Sequence, residues 1–168
     1  TKPVSVVLPA GFDQRPTRNQ RFELARVLAH VAQGTAIAHP GWSVPITPRD
    51  LAVLLAAVTR LAVPDFGSRL TAPAVLNGLT QQLESLLPGL VKAELSTASR
   101  AYADNAAELD HGRWLAVTRQ SALRVAVLLT GELDVALTHA RSQLAPAEFG
   151  ELLGFITSEA FFGVVLPA

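Results

Sequence analysis

The chain has 168 residues and no cysteine, and 49% of its residues are hydrophobic against 17% charged. This composition excludes a disordered tail, and the lack of cysteine excludes disulfides, zinc knuckles, iron–sulfur centres and thiol catalysis. Fourteen Lys and Arg residues balance fourteen Asp and Glu residues, so the chain lacks the basic surplus that nucleic-acid binding requires.

The extent of the chain allows three further expectations. No apolar stretch reaches the ~18 uninterrupted residues that cross a bilayer, so we expect a soluble, cytoplasmic protein without a transmembrane segment. The length predicts a single helical domain over residues 1–168. Because the chain begins with Thr1 and contains no methionine, we expect it to be a fragment of a longer protein.

The N-terminal part of the sequence predicts one strand followed by a helix. Residues 4–8 (Val-Ser-Val-Val-Leu) are β-branched and precede a proline, which is typical of a short strand. Thr17 and Gln20 have the spacing of a capping box, so we expect a helix from Thr17 to about Gln33, with Gly34 as the residue that ends it. The expected apolar face of this helix consists of Phe22, Ala25, Leu28, Ala29 and Ala32.

The remainder of the sequence predicts helices. Thr47 and Pro48 are typical of an N-cap and a first helical residue, and Pro64 ends the helix that they begin. Further helices are expected over residues 76–87, 90–109, 110–130 and 133–144 and in a last pair after Pro146, with Asp110 as a cap. The expected buried face of residues 110–130 consists of Trp114, Val117, Ala122, Val125, Leu128 and Leu129. We therefore predict a mainly α fold, a compact bundle of seven or eight helices with at most one or two short N-terminal strands.

Common catalytic motifs are absent from the sequence. None of its histidines, which are His30, His39, His111 and His139, has a second histidine three or four residues away, as a paired zinc motif on a helix requires. Neither glycine-rich phosphate loop nor the G-x-S-x-G turn is present. The acidic pair of Glu132 and Asp134 is explained by a helix N-terminus, whose dipole favours anions.

Residues 23–34 (Glu-Leu-Ala-Arg-Val-Leu-Ala-His-Val-Ala-Gln-Gly) resemble a known active-site helix. It is that of the zinc metallopeptidases that include the CAAX prenyl proteases and the Oma and HtpX types, with a pattern of roughly E-L-x-x-V-L-A-H-E-x-x-H. The resemblance places His30 on the first zinc-ligand position. Val31 falls on the general-base glutamate and Gly34 on the second histidine.

Residues 119–133 resemble the third-ligand helix of the same family, E-x-x-A-D-R-A-G-L-L, which is followed by an acidic residue. The residues that agree with this pattern are Ala122, Arg124, Leu128 and Glu132. Arg119 falls on the ligand glutamate, and Leu123 falls on the supporting aspartate. The two windows together cover two helices of the chain.

The departures from the family's pattern remove its chemistry. Catalytic zinc needs three protein ligands and an open position for water, and of these ligands only His30 remains. Val31 cannot take a proton from a metal-bound water, and Arg119 places a cation where a dication should bind. The resemblance therefore implies a pseudoenzyme that binds no metal or other cofactor, similar to helical domains at the ends of large multidomain bacterial proteins.

Our first interpretation is a non-catalytic, degenerate metallopeptidase-like domain that serves as a protein-interaction or structural module of a larger protein. Its partner would be another protein or a neighbouring domain, and Trp42, in a Pro-rich loop, is either an interface anchor or part of a lid over the core. Two alternatives stay open. One is an unrelated helical scaffold or irregular repeat domain, and the other is a hydrolase with an unrecognised site, for example His111 with Glu108 or Asp110.

Overall fold

The structure, a computed structural model, describes residues 5–39 and 46–165. Over these ranges the chain forms eight α-helices, a few short 3-10 turns and no strand. The helices are α1 (Thr17–Ala32), α2 (Pro48–Thr59), α3 (Pro73–Leu86), α4 (Gly89–Asn105), α5 (His111–Thr130), α6 (Leu133–Gln143), α7 (Pro146–Ile156) and α8 (Glu159–Val165). The prediction of a mainly α fold is confirmed.

The predicted N-terminal strand is wrong for the part of it that the structure describes, because residues 5–8 have no regular structure. A strand is stable only when its backbone groups pair with a neighbouring strand. All regular segments over the described ranges are helical, so the β-branched residues find no such partner. Among the described residues, no helix is long and apolar enough to cross a membrane.

The chain divides into two compact units. The first consists of Thr1–Pro45 and Leu115–Ala168, and the second consists of Ile46–Trp114. The single domain that the length suggests stays a prediction. Each unit has a cluster of buried apolar side chains of its own.

The core of the first unit is built from α1, α5, α6, α7 and α8. Its buried members are Phe22, Ala25, Leu123, Ala126, Val127, Ala136, Ala140, Leu152 and Phe161. Alanines make up four of these nine positions, so the helix backbones approach one another closely. Among the described residues, Phe22 is the largest side chain that is completely buried, and its burial alone stabilises the unit by roughly 1.5–3 kcal/mol.

The second unit packs α2 against α3 and α4. Helix α2 begins as the sequence predicts: the Thr47 hydroxyl accepts a hydrogen bond from the Asp50 N–H at 3.1 Å, and Pro48 is the first helical residue. The Asp50 carboxylate in turn accepts a hydrogen bond from the Thr47 N–H at 3.0 Å. Ala56, Ala57 and Leu76 form the buried centre of this unit.

The predicted start of α1 is wrong in its details. Thr17 is the first residue of α1 rather than its cap, and Pro16 occupies the cap position without a side-chain hydrogen bond. The Gln20 amide instead donates to the carbonyls of Asp13 and Arg15, at 3.1 and 2.7 Å. Gln20 therefore holds the turn that precedes the helix rather than closing a capping box.

The buried faces of α1 and α5 differ from the apolar faces that the sequence suggests. On α1, Leu28 is 54% exposed, whereas Arg26 and His30 are buried at 7% and 1% exposure. On α5, Trp114, Val117 and Leu129 are exposed, and the buried face consists of Leu115, Thr118, Gln120, Ala122, Leu123, Ala126 and Val127. Successive helical residues point about 100° apart. A face predicted from apolar residues alone is therefore displaced when polar residues, such as Arg26 and His30, belong to the buried side.

Helix α1 ends in a Schellman motif, as the sequence predicts for Gly34. Gly34 has a φ of 67°, its N–H donates to the Val31 carbonyl at 3.1 Å, and the Thr35 N–H donates to the His30 carbonyl at 2.8 Å. A positive φ is readily available only to glycine. The motif therefore depends on Gly34, and it fixes Thr35 beside His30.

We predict that Gly34→Ala destabilises the protein by about 1 kcal/mol, because a side chain in the left-handed region is strained. An added Cβ at position 34 meets no atom within 4 Å, so the cost is purely conformational. Gly150→Ala is the matched control, since Gly150 lies within α7 and is equally open. It should stabilise the protein by up to ~1 kcal/mol. Denaturant unfolding measures both changes, and effects of the same sign would contradict the assignment of the motif.

Candidate functional site

His30, the residue that the resemblance places on a zinc-ligand position, is buried and hydrogen-bonded. Its Nδ1 lies 3.1 Å from the Thr35 hydroxyl oxygen, and that hydroxyl donates to the His30 carbonyl at 3.3 Å. The hydroxyl can satisfy both contacts at once, by donating to the carbonyl and accepting from Nδ1–H. The ring of His39 stands edge-on to His30, with centroids 5.3 Å apart.

One turn before His30, Arg26 and Glu23 form a largely buried ion pair. The Arg26 Nη2 donates to Glu23 Oε2 at 2.7 Å. The other carboxylate oxygen of Glu23, Oε1, lies 3.3 Å from Nδ1 of His139 on α6. Glu23 thus joins a cation of its own helix to a histidine of another helix.

Burial and neighbouring cations keep these histidines neutral. Burial lowers the pKa of His30 to about 4, helped by His39, Arg26 and Arg119 and opposed by hydrogen bonding to Thr35. Burial and Arg26 likewise lower the pKa of His39 to about 4, against the effect of Glu23. The pKa of His139 is also lowered, first by burial and then by Arg26, again against Glu23. The guanidinium of Arg26 acts on all three rings.

Three of the motif positions of the resemblance lie together in the first unit: His30 and Leu123 are buried, and Arg119 is half-buried. Leu123 is 3% exposed and packs in the same core as Phe22 of α1. The Nε of Arg119 donates to the Ala38 carbonyl at 3.2 Å, and the charge of Arg119 is close enough to lower the pKa of His30. The resemblance requires this proximity of His30 and Arg119.

The other predicted positions are less central. Val31 is half-buried on α1. Gly34 lies past the end of α1, so a side chain there would not share a helix face with His30, as two histidines of a zinc motif must. Trp42 lies outside the described residues. Glu132 and Asp134 stand at the start of α6, as predicted, and both pair with Arg18.

Sequence reasoning missed Glu23, Arg26 and His139 as members of one cluster. Glu23, Arg26 and His30 follow one another at spacings of three and four residues, so they share a face of α1. That polar stripe was a usable signal. The contribution of His139 had no local signal, because its contact with Glu23 spans 116 residues, from position 23 to position 139, and exists only after α1 and α6 have packed.

Two members of this cluster, Arg26 and His139, line a cavity of about 230 Å³ within the first unit, which we call the inner cavity. Its lining consists of Arg26, Arg119, Leu123, His139, Gln143 and Leu144. A wider groove of about 570 Å³ shares Arg26, His139 and Gln143 with it and continues past Glu23 and His39 to the N-terminal residues Val6, Val7 and Leu8. Over the described ranges, no three His, Asp or Glu side chains are grouped so that they could hold a metal ion.

In the second unit, the residues named for a hydrolase site have other partners. The Nε2 of His111 is 2.8 Å from the Tyr102 hydroxyl, whose pKa is raised by burial. Asp110 caps α5, as predicted, by accepting from the Arg113 N–H at 2.9 Å. Among the described residues, His111 makes no hydrogen bond to Glu108 or Asp110.

No family model matches this chain, and no curated protein or solved structure is significantly similar to it. The candidate site therefore rests on the contacts of this chain alone. The metallopeptidase resemblance stays a prediction.

We predict that the protein loses stability as the pH falls from about 6.5 to 4. In that range unfolded histidine takes up a proton, whereas His30 in the folded chain, with a pKa of about 4, does not. This contribution to stability is fully present above the pKa of unfolded histidine. It is lost as the pH falls towards the pKa of His30 in the folded chain. The loss for His30 alone is roughly 3 kcal/mol.

His30→Asn is the control for this pH dependence, because the asparagine amide can still bond to Thr35 but does not titrate. Urea unfolding at pH values from 7 to 4 measures the effect. We expect the variant to lose clearly less stability than the wild type over this range. The pH dependence that remains in the variant comes from His39 and His139. Identical pH profiles for the two proteins would contradict the burial of a neutral His30.

Proposed function

We propose that this chain is a non-catalytic helical domain, a degenerate metallopeptidase-like scaffold that serves as a protein-interaction or structural module of a larger protein. The observation that carries the proposal is the environment of His30. Its ring is neutral, bonded to Thr35 and surrounded by the positive charges of Arg26 and Arg119.

This environment opposes both requirements of zinc-dependent hydrolysis, which are the binding of the metal ion and the removal of a proton from water. A dication near His30 would be repelled by two guanidinium groups in a region of low dielectric constant, where such repulsion is strong. Val31, on the general-base position, has no group that could accept a proton from water. At the positions that the family uses for chemistry, this chain has a histidine bonded to Thr35, an arginine bonded to the Ala38 carbonyl and a leucine packed in the core.

Exposed leucines support the interaction role. Leu86 and Leu90 are 77% and 84% exposed and lie on either side of the turn between α3 and α4. In the first unit, Leu129 is 70% exposed. Single exposed apolar residues are common on protein surfaces, but two leucines on one turn form a surface that contact with a partner would remove from water.

We predict that the purified wild-type domain contains no zinc after dialysis, as measured by elemental analysis. The physical reason is the pair of cations beside the one remaining ligand. A stoichiometric amount of zinc would refute the proposal, because it would require other ligands to converge in space and would reopen the hydrolase alternative.

We predict that the triple variant Val31→Glu, Gly34→His, Arg119→Glu binds zinc. A histidine at position 34 is strained in the left-handed turn that ends α1, and zinc binding would favour continuation of the helix, which brings positions 30 and 34 onto one face. The double variant Val31→Glu, Gly34→His is the control and should bind far more weakly, since it keeps Arg119. A triple variant that is folded by circular dichroism and yet takes up no zinc would refute the metallopeptidase scaffold and favour an unrelated helical scaffold.

A further inference from the structure

The inner cavity contains a buried cation with hydrogen-bonding capacity to spare. Arg26 is 7% exposed and lines the cavity. A guanidinium carries five N–H donors, and within the described part of the chain that of Arg26 makes one hydrogen bond, to Glu23. Its Nε is buried without a hydrogen-bond partner among these residues. Buried donors without acceptors destabilise a fold, so this group favours a further acceptor.

The electrostatics around the cavity favour an anion. Arg26 and Arg119 both line it, and none of the carboxylates in the described part of the chain does. Glu23 lies next to it, but its two oxygens are already engaged by Arg26 and His139. The pKa of His139 is lowered first by burial, and Arg26 lowers it further than Glu23 raises it, in keeping with incomplete neutralisation of Arg26 by its carboxylate partner. A bound anion would complete this neutralisation.

The remaining lining selects the kind of anion. Leu123 and Leu144 supply an apolar wall, and Gln143 supplies an amide. A guanidinium binds a carboxylate through two parallel hydrogen bonds, while an apolar wall favours a ligand with a hydrocarbon part. The volume of about 230 Å³ limits that part to a short chain or a single ring.

We propose that the inner cavity binds a small monocarboxylate, with its carboxylate on Arg26 and its apolar part against Leu123 and Leu144. This function goes beyond the interaction role and does not depend on the metallopeptidase resemblance. The ligand needs no metal, and the site uses residues from α1, α5 and α6 together with Leu144, which follows α6.

Benzoate is a suitable probe, and benzamide is its uncharged isostere. We expect benzoate to bind the full chain at low ionic strength with a Kd of about 1 mM or tighter, and to shift the methyl NMR signals of Leu123 and Leu144. Benzamide should bind at least ~10-fold more weakly, since it lacks the charge that Arg26 recognises. Equal affinities of the two compounds, or no saturation by benzoate, would overturn the proposal.

Inorganic phosphate tests the alternative of a site for any small anion. If phosphate binds more tightly than benzoate, the apolar wall plays no part and the monocarboxylate assignment is wrong. Arg26→Lys keeps the charge without the two-pronged geometry and should weaken benzoate binding ~10-fold. The control is Arg21→Lys, since Arg21 is exposed on the same helix and should leave the affinity unchanged. Because the comparison of benzoate with benzamide uses the wild type, the test stands even if the Arg26 variant fails to fold.

Discussion

The carboxylate of Glu23 holds together two side chains that burial would otherwise destabilise. Arg26 keeps its charge at 7% exposure, and a buried charge that loses its partner costs a protein about 3–5 kcal/mol. The second oxygen of Glu23 faces His139 at 3.3 Å, so the carboxylate also links α1 to α6. The pKa values of His30 and His39 are lowered first by their burial, and the charge of Arg26 adds to this lowering.

The same positive charges connect the two proposals. Around His30, the guanidiniums of Arg26 and Arg119 oppose a dication and so remove the chemistry that the sequence resemblance suggests. In the inner cavity, a few residues away along the same helices, those guanidiniums favour an anion. The repulsion of a dication near His30 and the attraction of a carboxylate in the inner cavity would thus share one physical cause, which is the positive charge of Arg26 and Arg119.

Most local signals in the sequence predicted the helices correctly, although the capping box at Thr17 and the strand at its N-terminal side were wrong. Gly34, Thr47 and Asp110 end or begin helices as expected, because each acts through hydrogen bonds within a few residues. Signals that depend on tertiary packing failed. The predicted apolar face of α1 left out Arg26 and His30, although both are buried. Their burial depends on polar partners, which an apolar pattern does not reveal. Of the candidate site, the sequence supplied His30, Arg119 and Leu123, whereas the contact of Glu23 with His139 requires the folded chain.

The most direct test of this account is an NMR titration of the histidine ring signals, with His30→Asn used to assign His30. The account predicts that the rings of His30 and His39 stay neutral at pH 6 and take up a proton only near pH 4, in line with their pKa values of about 4. A pKa close to the ordinary value of about 6.5 for both rings would contradict it, since it would mean that neither burial nor the charge of Arg26 acts on them.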